Sequence, residues 1–141
     1  EYNVRMGDPE CQPILMRMES DLFEYLTRSV SGTLDTMSPI SWKDKSAVCI
    51  VLASKGYPES YPKGDEIFGL DQTFEDGFVF HAGTKKQDVK IITNGGRVLG
   101  VTGLGDTLES AIKHAYEITE KISWENKYLR TDIGKKGLSY L

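Results

Sequence analysis

No apolar stretch in this chain approaches the roughly 18 residues that a membrane-spanning helix needs. The opening Glu1-Tyr2-Asn3-Val4-Arg5 also lacks the basic-then-apolar layout of a secretion signal. These two absences make a cytoplasmic location with no membrane partner the expectation. Basic residues are in short supply: 17 Lys and Arg stand against 21 Asp and Glu, for a formal net charge of -4. There is thus no basic surface on which to found binding of nucleic acid or anionic lipid. Cysteine is scarce. Cys11 and Cys49 lie far apart, with no further thiol and no spaced His pair beside them, which excludes a zinc site; two reduced, partly buried thiols are expected, with a disulfide between them the alternative. Internal repeats and low-complexity tracts are missing as well. The run Gly100-Val101-Thr102-Gly103-Leu104-Gly105 has its glycines in the wrong order for a dinucleotide fingerprint and lacks the lysine of a P-loop. It is expected to be a flexible connection into a helix.

What is present is enough to fold. Hydrophobic residues make up 39% and charged residues 27% of the 141 residues, close to the globular average and far from the mix that keeps chains disordered. The length fits one ordinary domain, or a small domain carrying a piece of another. The chain opens on Glu rather than Met and runs directly into a strand-like alternation, which reads as a piece of something longer.

After that strand, Asp8 is placed to cap a helix with Pro9 in its first turn. Leu15, Met18, Leu22, Leu26 and Val30 recur at three- and four-residue steps, giving one apolar stripe that stops at Ser31-Gly32. A break is expected near Glu19-Ser20-Asp21, where Asp21 offers a second cap. Residues 35–45 are polar and contain Pro39, so a boundary falls here, dividing the chain into 1–40 and 41–141. Ala47–Ala53 is a short run rich in β-branched residues and predicts a central strand. Lys55–Gly64, with two prolines and two glycines, is a loop. Further strands are predicted at 78–82, 89–93 and 97–101, the last two joined at Asn94-Gly95 as an antiparallel hairpin with a type I′ turn. Asp106-Thr107-Leu108-Glu109 then starts a helix whose face is Leu108, Ala111, Ile112, Ala115, Ile118 and Ile122. The fold class is α+β: a small antiparallel sheet of about four strands with helices on one side.

The chemistry sits at the start. On a strand the odd positions share a face, so Glu1, Asn3 and Arg5 bring a carboxylate, a carboxamide and a guanidinium together. Oxygen donors of this kind suit Mg²⁺, and the guanidinium fork suits a phosphate. Alternating polar residues also describe any solvated strand face. His81 and His114 have neither ligand spacing nor a nucleophile at hand, and surface or packing roles are expected for both.

The longer string EYNVRMGDPECQ resembles the end of the ATP-grasp domain in the glycinamide ribonucleotide synthetases, whose usual form is Glu-Phe/Tyr-Asn-x-Arg-Phe-Gly-Asp-Pro-Glu-x-Gln. The resemblance continues through Ala53–Pro58, Lys63-Gly64-Asp65, Val79–Thr84, Gly95–Thr102, the helix around Ala111–Tyr116, and Tyr128–Gly134. It covers nearly the whole chain in the family's order. Met6 stands where the family usually has Phe, and Lys55 where a second Gly is common. The resemblance implies that residues 1–40 end an ATP-grasp domain and 41–141 form a carboxy-terminal α+β domain. It implies an ATP-dependent ligase of purine biosynthesis joining glycine to 5-phosphoribosylamine through glycyl phosphate. Glu1 and Asn3 would then bind Mg²⁺ or Mn²⁺, and Arg5 would lie beside the transferred phosphate. Asp8 and Glu10 would stand in the signature loop near substrate, although helix capping and the macrodipole account for the same acids. The nucleotide-clamping and amine-binding parts would lie upstream, so this piece alone is expected to be inactive. Two alternatives are a free-standing interaction module of the same fold and a carboxylating ATP-grasp relative.

Overall fold

The computed structural model of the chain describes residues 4–140. Its elements, in order, are α1 (Cys11–Arg17), α2 (Leu22–Ser31), a short 3₁₀ turn (Leu34–Thr36), β1 (Ser46–Ser54), β2 (Gly77–His81), β3 (Thr84–Gln87), β4 (Lys90–Thr93), β5 (Arg97–Gly105), α3 (Leu108–Glu120), β6 (Lys127–Tyr128) and α4 (Lys135–Leu138). Four strands form an antiparallel sheet in the order β2-β5-β1-β6, and β3 pairs with β4 in a second, two-stranded sheet. The mixed helix and antiparallel sheet agrees with the expected class.

The strand predicted at 47–53 is β1, and it pairs with β5 along almost its full length, from Ser46↔Gly105 to Leu52↔Leu99. Alternation sends Val48, Ile50 and Leu52 of β1, with Leu99 and Val101 of β5, to one face. There they meet Ala111, Ala115, Ile118 and Ile122 in the buried core. Fully burying each large aliphatic side chain stabilises by about 1.5–3 kcal/mol, so this layer dominates the packing. Helix α3 begins within the expected Asp106–Glu109 start, with Thr107 rather than Asp106 as the cap, in a reciprocal capping box with Ser110. It ends on a lysine. Lys127 Nζ donates to the carbonyls of Thr119 (2.9 Å) and Ile122, and burial lowers its pKa.

Residues 100–105 are not a flexible connection. They continue β5, and their glycines serve packing: a Cβ on Gly103 would lie 2.4 Å from the Ala115 amide nitrogen, and one on Gly105 2.4 Å from that of Ala111. Only a bare backbone lets α3 sit this close. The other face of the pair is also occupied, by α1, whose Gln12 side chain lies 3.6 Å from the Cβ position of Gly100. Helices therefore lie on both faces rather than on one.

The hairpin expected at Asn94-Gly95 does not form. β4 pairs with β3, and the connecting residues are Asp88, at φ +54°, and Val89. Asn94 N donates instead to Gly83 O (2.8 Å), and Gly83 N to Arg97 O (2.9 Å). A Cβ on Gly95 would stand 2.9 Å from Gly83 Cα, and one on Gly96 would strike the Tyr57 ring. The glycine pair is used for close approach, not for positive φ.

The amino-terminal helix differs too. It starts at Cys11, with Glu10 preceding it and no side-chain cap, and the Asp8-Pro9 peptide is cis. The break and second cap are where the sequence placed them: Asp21 Oδ1 accepts from Phe23 N at 2.9 Å, and Gly32 ends α2 in the left-handed region. The stripe on α2, however, is not buried. Leu22 is half-buried, but Leu26 and Val30 are 56% and 91% exposed, as is the neighbouring Phe23 at 75%, so among the described residues most of this apolar face has no cover.

The two faces of β5 should respond differently to a methyl group. Gly103→Ala is expected to destabilise at or above the upper end of the 1–3 kcal/mol typical of overpacking, because the clash is with backbone. Gly100→Ala, meeting only ordinary contacts, should cost less than about 1 kcal/mol. Urea denaturation of the two variants measures this, and equal losses would contradict the packing described.

Candidate functional site

Glu1 and Asn3 lie outside the described residues, so the predicted metal ligands have no geometry to report. Arg5 is exposed, and its Nη1 donates to the Met6 carbonyl at 3.3 Å. The turn that follows is held internally: Glu10 Oε1 accepts from Gly7 N at 3.0 Å, and Cys11 N donates to Gly7 O at 3.0 Å. Asp8 does not cap α1. Its Oδ2 lies 3.1 Å from Arg97 Nη2, which explains why the helix begins later than the sequence implied.

Arg97 reaches Asp8 because of a bulge. β1 and β5 stay in register up to Leu52↔Leu99, and then Ala53 pairs with Arg97, leaving Val98 as the extra residue. Strict alternation would put Arg97 on the same side as Leu99, in the core. The bulge turns it to the opposite face, as bulges commonly re-aim a side chain. Asp8, Gln12, Cys49, Arg97 and Gly100 thus gather on the α1 face of the central pair. Gln12 Oε1 is buried there with no hydrogen-bond partner among the described residues. Burial pushes the Cys49 thiol pKa upward; the hydroxyl of Thr102 opposes this more weakly, and the negative charge of Asp8 adds to it. Both cysteines are free.

Other candidates take structural places. His114 Nδ1 is 2.6 Å from the Leu104 carbonyl, and His81 Nδ1 is 3.0 Å from Thr84 Oγ1. A cleft of about 440 Å³ runs beside β2, with Leu70, Phe74, Phe78 and Phe80 among its lining, but neither Arg5 nor Asp8 borders it. Among the described residues no cluster of His, Cys, Asp or Glu side chains could hold a metal ion. No helix among them is long and apolar enough to cross a membrane. Sequence reasoning gave Arg97 no role, although it stands in the Gly95-Gly96-Arg97 run; an arginine opening a strand carries no signal of the bulge that aims it.

Residues 47–136 match the family model described as phosphoribosylglycinamide synthetase, C domain. The chain belongs to this family. A phosphoribosylamine–glycine ligase from Vibrio parahaemolyticus is 48% identical over 140 residues, covering 99% of this chain and 32% of that protein. A bifunctional purine biosynthetic protein from Dictyostelium discoideum is 47% identical over 144 residues, covering 100% of this chain and 18% of that protein. A crystal structure of phosphoribosylamine–glycine ligase from Thermotoga maritima shares 40% identity and a TM-score of 0.72, covering 94% of this chain and 32% of that one. The chain spans about a third of the length of most of the curated relatives it matches. Within the phosphoribosylglycinamide synthetase match fall β5, α3 and all of β1 but its first residue, whereas Arg5, Asp8 and α1 precede it. The Asp8–Arg97 pair therefore joins the preceding segment to the C domain.

The raised Cys49 pKa means that the folded state holds the thiol proton more tightly than the unfolded chain does. Its contribution to stability is present below the ordinary thiol range and is lost as pH rises through the raised value. Iodoacetamide at pH 8 should therefore alkylate Cys11 severalfold faster than Cys49. Mass spectrometry of the time course checks it; equal rates would contradict the burial described.

Proposed function

We propose that the chain is the carboxy-terminal portion of a phosphoribosylamine–glycine ligase, which uses ATP to join glycine and 5-phosphoribosylamine into glycinamide ribonucleotide in purine biosynthesis. The observation that carries this reading is 44–48% identity across nearly the whole chain to proteins bearing that name. On this reading residues 1–40 end an ATP-grasp domain and 41–141 form the C domain. The remaining two thirds of such a ligase supply the nucleotide clamp and the amine-binding surface, and the chain alone does not turn over.

The chemistry has two steps. A glycine carboxylate oxygen attacks the γ-phosphorus of ATP, the bond to ADP breaks, and glycyl phosphate forms. The amine nitrogen of phosphoribosylamine then attacks the acyl carbon, loses a proton and expels phosphate. The roles of the protein are alignment and charge stabilisation. Arg5 presents a fork of donors that can bind and orient two oxygens of the transferred group. A carboxylate and a carboxamide oxygen form a donor set suited to a hard divalent cation, so Glu1 and Asn3 would hold Mg²⁺ or Mn²⁺. Such a cation supplies neutralisation of charge along the phosphoryl path. Asp8 and Glu10 already have partners, Arg97 and the Gly7 amide. That favours shaping of the loop over direct substrate contact for both.

The test is ADP release by the chain in its longer ligase context, with ATP, Mg²⁺, glycine and freshly generated phosphoribosylamine each omitted in turn. Turnover is expected to need all four, and the isolated chain should give none. Arg5→Ala should lower kcat by about 10²–10³-fold, the usual cost of losing one donor to a developing charge, with an unchanged circular dichroism spectrum. Release that is indifferent to glycine, or that depends on bicarbonate, would overturn the reading in favour of a carboxylating relative. A folded longer protein with no turnover would favour an interaction module.

A further inference from the structure

We propose that Arg97 is a positioning residue: through Asp8 it fixes the segment that carries Arg5, and so sets where the Arg5 guanidinium stands during phosphoryl transfer. The inference rests on the function proposed above for Arg5. Arg97 is brought to this face only because β5 accommodates an extra residue at Val98, and a bulge interrupts the ladder of the longest strand pair among the described residues. The ion pair it makes is about half exposed, at 45% for Arg97 and 58% for Asp8. Exposed pairs of this kind add little to stability. A local irregularity that yields little stability calls for another use, and the use that the geometry offers is registration.

Arg97 is well placed to act as an anchor. Its carbonyl accepts from Gly83 N at 2.9 Å, and the preceding Gly96 carbonyl accepts from Ser54 N at 2.8 Å. Tyr57 lies against Gly96 on the other side. The guanidinium therefore projects from a backbone held at three points. Asp8 is its partner and follows Arg5 by three residues. The far end of α1 is tied separately, by Lys43 N to Arg17 O at 2.8 Å and Glu19 N to Ser41 O at 3.0 Å. Those bonds fix the far end of the helix, and the Asp8–Arg97 pair ties the residues ahead of it to the C domain. Misplacing a catalytic group by about 1 Å costs on the order of 100-fold in rate, so a weak pair can matter greatly to turnover while mattering little to melting.

Two readouts separate this inference from the ligase reading. In the chain as it stands, hydrogen–deuterium exchange of the amides of residues 5–8 should quicken severalfold in Arg97→Ala and in Asp8→Asn, and return towards the parent rate in the charge-swapped Asp8→Arg/Arg97→Asp. Melting temperatures should shift by less than about 3 °C. In the longer ligase, both single variants should lower kcat at least tenfold with little change in the KM for glycine or phosphoribosylamine. The swap and Arg97→Lys should recover part of that loss. Unchanged exchange in the single variants would overturn the inference. So would quickened exchange with an unaltered kcat. A raised KM for phosphoribosylamine in Arg97→Ala alone, with no rescue by the swap, would make Arg97 a substrate contact and overturn it as well. Should the parent ligase show no dependence on glycine, the function proposed above fails, and the exchange data still decide whether Arg97 anchors the loop.

Discussion

The pairing of β1 with β5 is the constraint on which the other elements depend. Eight residue pairs line up along two nine-residue strands, and their alternation divides the molecule into a core face and a face towards α1. On the core face, aliphatic side chains alternate with bare backbone, so that α3 both buries them and rests on Gly103 and Gly105. On the other face, Gly100 leaves room for α1. A displacement of the pair by one residue would exchange the two faces entirely. Glycine at alternate positions here is a spacing device, and it acts on both sides of one strand.

On the function proposed above, the C domain does more than close off a ligase. It presents one arginine to the segment ahead of it, across a contact whose strength is modest and whose geometry is specific. Enzymes of this chemistry depend on alignment more than on any single strong contact. A domain that folds around its own core and offers a rigid reference point suits that need. The polar tie also differs in kind from the apolar stripe on α2. Phe23, Leu26 and Val30 are arranged to be buried, yet nothing among the described residues covers them.

The sequence revealed what is decided locally. The β-branched run at 47–53, the cap at Asp21, the stop at Gly32 and the apolar period of α3 all depend on neighbours a few residues away, and all are found. Asn94-Gly95 misled because the dipeptide is compatible with a tight turn but is equally suited to backbone contact with Gly83, some ten residues earlier. The strand character of 100–105 was hidden for the same reason: glycines that look flexible in isolation are ordered by a helix lying on them. Asp8 read as a cap because its competitor for the carboxylate, Arg97, is distant in sequence and is aimed by a bulge that no local pattern announces. The apolar period of α2 correctly showed that a face exists and could not show what covers it.

The strand order carries a kinetic corollary. β1 meets β5 across roughly fifty intervening residues, whereas β2 meets the same strand across about twenty and β3 meets β4 across a two-residue connection. Chain entropy charges more for the longer closure, so the β3–β4 hairpin, the β2–β5 pair and α3 can assemble before β1 arrives. Until then Ala47–Ala53, the most apolar strand of the sheet, has no partner, and a short β-prone segment without charge is the kind that self-associates. The central strand of the finished fold is thus the exposed liability of the unfinished one, and its protection depends on how quickly the remaining sheet is ready to receive it.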